Sequence, residues 1–299
     1  MAAQITTAAK NNVITRSTFK GYDACCNPYV GCEFGCQYCY VRFFVKDKTK
    51  EWGEFVRLRM HIKDKLPKEL PRISGQRLVI GTMTDPYQPV ERKYHLTRTI
   101  MQEILKQINK PSKVGIFTRS PIILDDIQLI KQLPKARIHY TITPYNKDIL
   151  QKLEPIPVST EARFKVCQKI VDAGIRLHIN VAPVLPHYSD HLTVDFVKRI
   201  VAIKPAEFFV DPMMAYSESY TATEQALSTD KDWPNVQNII TNKQRYQEWK
   251  EQYKQQWLDA WNKYGNNSIL PIWSDHQSGT WIDMRTEQQM DHRIYGDDL

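Results

Sequence analysis

Three cysteines, Cys32, Cys36 and Cys39, fall within eight residues of the stretch NPYVGCEFGCQYCYVR (27–42), spaced C-x3-C-x2-C. Ordinary iron–sulfur and zinc sites take four protein ligands. A compact loop offering three predicts a cluster with one iron left without a protein ligand. That open corner is where chemistry becomes available. A molecule with an amine and a carboxylate, such as the methionine end of S-adenosylmethionine, can chelate it. One electron from the cluster then splits the neighbouring carbon–sulfur bond, and the radical chemistry belongs to the cofactor. The same thiols also suit zinc with a distant fourth ligand such as His61 or His95, although zinc modules usually present two separated pairs.

The flanks narrow the choice. Asn27-Pro28-Tyr29 before the loop, Tyr38-Cys39-Tyr40-Val41-Arg42 at its end and Thr84-Asp85-Pro86-Tyr87-Gln88-Pro89-Val90-Glu91 downstream resemble the radical S-adenosylmethionine (SAM) superfamily. Within it they are similar to the spore photoproduct lyase-like branch, over Tyr22 to Tyr216. The resemblance implies a [4Fe-4S] cluster on Cys32, Cys36 and Cys39, with SAM bound beside it. Reductive cleavage would yield a 5′-deoxyadenosyl radical that abstracts hydrogen from a substrate, with a nucleic-acid base as the leading class. It further implies an electron donor such as flavodoxin or ferredoxin. The alternatives are a peptide or small-metabolite substrate, or an iron–sulfur or zinc protein that binds nucleic acid without turnover.

Carried over position by position, Thr84 matches a hydroxyl that reaches the cofactor, and Arg119 a basic residue holding its carboxylate. Arg119 also makes independent sense, because a guanidinium forks onto a carboxylate. Thr141 or Thr143 lies where a hydroxyl meets the ribose, and Ala182 where backbone flanks the adenine. Asp85 either accepts the amine or caps its own Asp-Pro turn. Tyr38 and Tyr40 match two tyrosines that form a hydrogen relay beside the cofactor; packing around the cluster is the alternative. One position departs from the family. Where spore photoproduct lyase carries a hydrogen-returning cysteine, this chain has Thr82, so thymine-dimer reversal is not expected. Cys25 and Cys26 read first as small buried hydrophobes. As a second reading they substitute for that donor, with Cys26 placed beside Tyr40 as catalytic.

The elements that must position these residues follow a repeated rhythm. A first strand around Cys25-Cys26 precedes the cysteine loop, then a short strand at Phe55 to Met60 and a helix from Ile62 to Leu70 that stops near Pro71. Strands at Arg77 to Thr82, Lys113 to Thr118, Ala136 to Ile142, Ile175 to Ala182 and Ala206 to Val210 alternate with helical segments. Those helices span Leu96 to Ile108, Ile122 to Leu133, Lys147 to Leu153, Ser159 to Ala173 and Val194 to Ile203. Six strands alternating with helices predict parallel βα units, and hence an α/β fold with a partial (β/α)6 TIM-type barrel. In such folds the reactive groups gather at the carboxyl ends of the strands. Cys167 lies on the apolar stripe of its helix and reads as core.

Residues 1–21 read as a loose polar arm, 22–216 as the barrel and 217–299 as a C-terminal extension. Residues 217–242 look like a long connection. Gln244 to Tyr264 reads as a helix with Trp249, Tyr253, Trp257 and Trp261 on one stripe. The stripe packs across the open side of the barrel, or with Lys250, Lys254 and Lys263 it forms a stacking platform for bases. Ile269 to Trp273 and Trp281-Ile282-Asp283 predict a strand and a lid, and the acidic end Gly296-Asp297-Asp298-Leu299 reads as loose.

With 299 residues, 42% apolar and 25% charged, the chain is sized for one large globular domain or one domain plus an extension. A formal charge of +8 suits an anionic partner, or simply a solvated basic surface. No apolar run approaches the ~18 residues of a membrane span, and the start lacks the apolar core of a signal peptide. Six cysteines, three in one loop, suit a reducing cytoplasm rather than a disulfide framework.

Overall fold

The computed structural model describes residues 3–47, 49–213, 218–275 and 280–290. In chain order its strands are β1 (Gln4–Thr7), β2 (Ile14–Arg16), β3 (Ala24–Cys26), β4 (Tyr29–Val30), β5 (Phe55–Leu58), β6 (Arg77–Ile80) and β7 (Lys113–Thr118). They continue as β8 (Arg137–Ile142), β9 (Arg176–Val184), β10 (Glu207–Pro212), β11 (Leu270–Asp275), β12 (Thr280–Asp283) and β13 (Gln288–Gln289). The helices are α1 (Val41–Phe44), α2 (Ile62–Glu69), α3 (Glu91–Tyr94), α4 (Leu96–Lys106), α5 (Ile127–Ile130) and α6 (Lys147–Leu153). Then follow α7 (Thr160–Asp172), α8 (Thr193–Ile203), α9 (Glu218–Leu227), α10 (Trp233–Thr241) and α11 (Lys243–Tyr264).

The main sheet runs β13-β12-β11-β10-β9-β8-β7-β6-β3-β2. Every pairing from β3 through β6–β10 to β11 is parallel. Six of these strands are the ones the sequence rhythm predicts, and they form the partial α/β barrel. β11 adds a seventh parallel strand from the C-terminal part of the chain, and the β12–β13 hairpin runs antiparallel beyond it.

Alternation along each strand separates two environments. The outward residues Val114, Ile116, Ile138 and Tyr140 join one large cluster with Ile100 and Ile104 of α4, Phe164 and Ile170 of α7, and Phe196 and Ile200 of α8. Full burial of such a side chain contributes ~1.5–3 kcal/mol. Cys167 is buried in this core as expected. The inner face is different. Lys113, Arg137, His139, His178 and Glu207 form a buried polar layer at the amino ends of β7–β10. His178 Nε2 lies 2.5 Å from Glu207 Oε1. His139 Nε2 is hydrogen-bonded to Tyr22 Oη at 2.7 Å and its ring stacks on Phe117. Tyr22 passes so close to β7 that a Cβ on Gly115 would lie 2.1 Å from its hydroxyl.

Caps fix where helices begin. Ser159 Oγ accepts from Ala162 N at 3.2 Å and Asn146 Oδ1 from Ile149 N at 3.0 Å, each satisfying one amide of the first turn.

Three expectations need correction. The N-terminal arm is not loose: β1 pairs parallel with β5, and β2 pairs antiparallel with β3. Both are edge strands held through backbone hydrogen bonds, so their polar side chains gave no apolar signal. The helix expected over 122–133 divides into a 3₁₀ turn, Pro121–Asp126, and the short α5. Asp126 is drawn inward there, accepting from Arg98 Nε at 2.6 Å and Tyr87 Oη at 3.3 Å. The supposed connection after 217 contains α9 and α10, which bury Tyr220, Ala222 and Leu227, then Trp233, Val236 and Ile240. In α9 small residues between those anchors hid the stripe; in α10 the anchors are large and lie three and four residues apart. Of the two readings of the α11 aromatic stripe, the packed one holds and the stacking platform does not: Tyr253 and Trp257 are essentially inaccessible. Trp257 and Trp261 lie 5.6 and 5.4 Å from the Phe208 ring, and Lys250 is buried with them. The junction at 214–217 and the acidic end 296–299 lie outside the described residues.

Candidate cluster and cofactor site

The cysteine loop leaves β4 at the carboxyl end of the barrel and returns in α1. Gly31 is required at the turn: its φ is +89°, and a Cβ there would lie 2.4 Å from the Phe55 carbonyl oxygen. Cys32 and Cys36 are buried among Phe34, Val41 and Trp52, and Cys39 is partly exposed. Burial raises all three thiols, with the Asp85 carboxylate adding to the effect at Cys32. Cys39, next to the Cys36 sulfur as well, is pushed up to about 12. A bound cluster would be held by the three as thiolates, their protons released to solvent and its positive charge replacing the missing solvation.

The downstream motif braces this loop. Thr84 Oγ1 donates to the Gly31 carbonyl at 2.7 Å, and Gln88 Nε2 donates to Thr84 Oγ1 at 2.9 Å. Gln88 Oε1 accepts from Glu33 N at 2.8 Å, while the Glu33 carboxylate accepts from Val90 N at 2.5 Å. Asn27 Oδ1 accepts from Met83 N at 2.8 Å. Glu91 is buried and accepts from Tyr29 Oη and from Thr97 N. Asp85 accepts from Tyr87 N, Thr118 Oγ1 and Arg119 N at 2.7–3.0 Å, so its carboxylate knits the ends of β6 and β7. Burial, its largest influence, raises it.

Sequence reasoning missed the centre of the polar framework. Glu154, fully buried after α6, accepts from Arg119 Nη1, Arg163 Nη2 and Tyr38 Oη. Thr143 Oγ1 donates to it at 3.3 Å and itself accepts from Arg163 Nη1 at 3.0 Å. Arg119 Nη2 donates to the Ile156 carbonyl at 3.1 Å, and its guanidinium lies 4.3 Å from the Phe34 ring centroid. Its Nε alone is buried without a hydrogen-bond partner. A signal did exist: an acidic residue at a helix C-terminus opposes the macrodipole, which calls for a compensating cation.

Cys32, Cys36, Cys39, Tyr38, Tyr40, Thr84, Asp85, Arg119 and Thr143 therefore meet at one end of the barrel. Tyr40 is half-exposed, donates to the Thr82 carbonyl, and stands near the sulfurs of Cys39 and Cys25. Thr141 and Ala182, both part-exposed, sit at the ends of neighbouring β8 and β9, where Ile142 pairs with Val181. Cys26 is placed elsewhere. Alternation along β3 turns its thiol into the outer core with Leu78 and Ile80, while Cys25 takes the inner face with Tyr22 and Val79. Cys25 Sγ is 3.1 Å from Thr15 Oγ1.

The zinc alternative loses both proposed fourth ligands. His61 Nε2 bonds the Asn11 carbonyl at 3.0 Å, and His95 is exposed on the turn between α3 and α4. Among the described residues no three His, Cys, Asp or Glu side chains are placed to hold a single ion. A four-iron cluster makes a different demand, since each thiolate binds its own iron.

A family model of the Radical SAM superfamily matches residues 26–200. The chain belongs to the radical SAM superfamily. As in the rest of the family, its cofactors are a [4Fe-4S] cluster and SAM, and the three-thiol loop fits the first of them. This radical SAM enzyme is 27% identical over 218 residues to an uncharacterized protein of Methanocaldococcus jannaschii, covering 73% of this chain and 79% of that one. An uncharacterized protein of Mycobacterium bovis is 28% identical over 179 residues, 55% of this chain and 50% of the relative. Among solved structures, a cysteine-to-serine variant of spore photoproduct lyase superposes with a TM-score of 0.66 at 12% identity, covering 90% of this chain and 82% of that one. A double variant with bound AdoMet and dinucleoside spore photoproduct gives 0.66 at 13% identity over 89% and 80%. At that identity the likeness is one of fold. Among the described residues no helix is long and apolar enough to cross a membrane.

Proposed function

We propose that this radical SAM enzyme abstracts hydrogen from a nucleic-acid base presented in single-stranded or flipped-out form. Cys32, Cys36 and Cys39 hold the cluster, which when bound supplies the electron that cleaves SAM to the 5′-deoxyadenosyl radical. Thr84, Asp85, Thr143 and the terminal nitrogens of Arg119 are engaged within the protein, so their part is to hold the loops in place. Arg119 Nε is buried without a hydrogen-bond partner, so Arg119 too acts through the loop it braces. Thr141 and Ala182 remain for the ribose and adenine.

The observation that carries the substrate class is an aromatic ridge directly after the third cysteine. Tyr40, Phe43 and Phe44 are 49%, 55% and 63% exposed, beyond what a soluble surface needs. Their rings meet edge-to-face, Phe43–Phe44 at 5.1 Å and Tyr40–Phe44 at 6.5 Å. Arg42 lies on the same helix, and Lys46 Nζ lies 5.9 Å from the Phe43 ring while ion-paired with Glu218 at 2.7 Å. Exposed rings with interleaved cations form a stacking surface for bases with contacts for phosphate. A base taken from a duplex must leave its stack first, at a cost of a few kcal/mol. The bound dinucleoside in the spore photoproduct lyase structure gives the reading a precedent in fold.

The test is anaerobic reconstitution with iron and sulfide, then reduction in the presence of SAM with single-stranded DNA, RNA or a peptide library. Release of 5′-deoxyadenosine stimulated by nucleic acid, and lost with iron binding in Cys36→Ala, is the expected result. Stimulation by peptide but not by nucleic acid would overturn the substrate class.

A further inference from the structure

The framework around Glu154 carries charge to the side of the cluster loop. Two guanidinium groups, Arg119 and Arg163, close on one carboxylate, leaving one net positive charge in a region sealed from water. Glu154 and Arg163 are both fully buried. The charge is pressed against Cys36 from two sides. Tyr38, two residues after Cys36, donates to Glu154, and Phe34, two residues before it, lies under Arg119. Gln37 N donates to the Leu153 carbonyl at 2.9 Å, pinning the loop to the end of α6. Cys36 is within electrostatic reach of Arg119, Glu154 and Arg163 together.

We propose that Glu154 is a positioning residue that fixes Tyr38 and Arg119 against the cysteine loop and, with Arg163, sets the cluster's reduction potential. The inference rests on the reading that Cys32, Cys36 and Cys39 hold the cluster. Reduction adds one electron, and so one negative charge, to the cluster. Nearby positive charge stabilises that reduced form, and the effect is large where solvent is absent. Two arginines without the carboxylate would make reduction easier but weaken the electron as a reductant of SAM. Glu154 holds the balance at a single excess positive charge.

The two neutralising substitutions have opposite signs. Glu154→Gln leaves two positive charges and shifts the potential to more positive values. Arg163→Gln leaves none and shifts it to more negative values. The measurement is a spectroscopic redox titration of the anaerobically reconstituted protein, with dithionite supplying the electron and iron content determined alongside. Opposite shifts at unchanged iron content are expected, with slower 5′-deoxyadenosine release in Glu154→Gln. Shifts of the same sign, or none, in protein that still binds its iron would overturn the inference. Should Glu154→Gln fail to fold, Arg163→Gln decides alone, and an unmoved or more positive potential overturns it. Wild-type protein that takes up no iron would instead remove the cluster assignment beneath it.

Discussion

His139 stands on the inner barrel face with Tyr22, His178, Arg137, Lys113 and Glu207 around it, and burial first, then its cationic neighbours, hold its pKa well below the usual value. The sign of the pH effect follows. Above ~6.5 the ring is neutral in both folded and unfolded chains. As pH falls through that value the unfolded chain takes a proton that the folded one excludes, so stability is lost by up to ~1.4 kcal/mol per pH unit. Denaturant midpoints between pH 7.5 and 5.0, a range of about 2.5 units, should fall less steeply in His139→Gln, whose amide keeps a partner for Tyr22. An equal slope in both proteins would refute this. At the residue scale the thiols were legible because three cysteines at fixed spacing have few other uses. Which of Cys25 and Cys26 faces inward was not legible, because the whole of β3 is buried and alternation without a polar face gives no phase.

Two aromatic elements look alike in sequence and differ in role. In α11 the rings recur every four residues, a pattern shared by a packed stripe and a stacking surface. Only the presence of α8 and Phe208 beneath it makes it core. α1 is a single turn, too short to show periodicity, yet it carries the exposed rings. The two should respond oppositely to substitution. Trp257→Ala should cost ~3–5 kcal/mol of stability, measured by chemical denaturation, and leave the nucleic-acid affinity of the remaining folded protein unchanged. Phe44→Ala should scarcely alter stability but weaken single-strand binding roughly 5- to 150-fold, the worth of one stacked base. Unchanged oligonucleotide affinity in Phe44→Ala would remove the ridge from the substrate path. Of the two helices of 218–241, α9 escaped sequence reading because its contacts are spread among alanine, serine and threonine, which carry little periodic signal, whereas α10 presents Trp233, Val236 and Ile240 at helical spacing.

For the molecule as a whole, the +8 formal charge should express itself as salt dependence. If about three lysines and arginines meet phosphate, the logarithm of single-strand affinity falls with a slope of about −2 against the logarithm of salt. That is roughly a 16-fold loss for a fourfold rise in salt. A flat dependence would speak for an uncharged substrate. The sequence by itself determined the cluster loop, the six βα units and the site's location at the carboxyl ends of the strands, because ligand spacing and apolar period are local properties. Tertiary structure alone decided the rest. It extended the sheet through β11 and placed Glu154 between an arginine just past β7 and one from α7. It also sent one aromatic helix inward and left another facing solvent. Each of these depends on which distant residues come to share one dry volume, and a carboxylate or an aromatic ring does not encode its partners in its own neighbourhood.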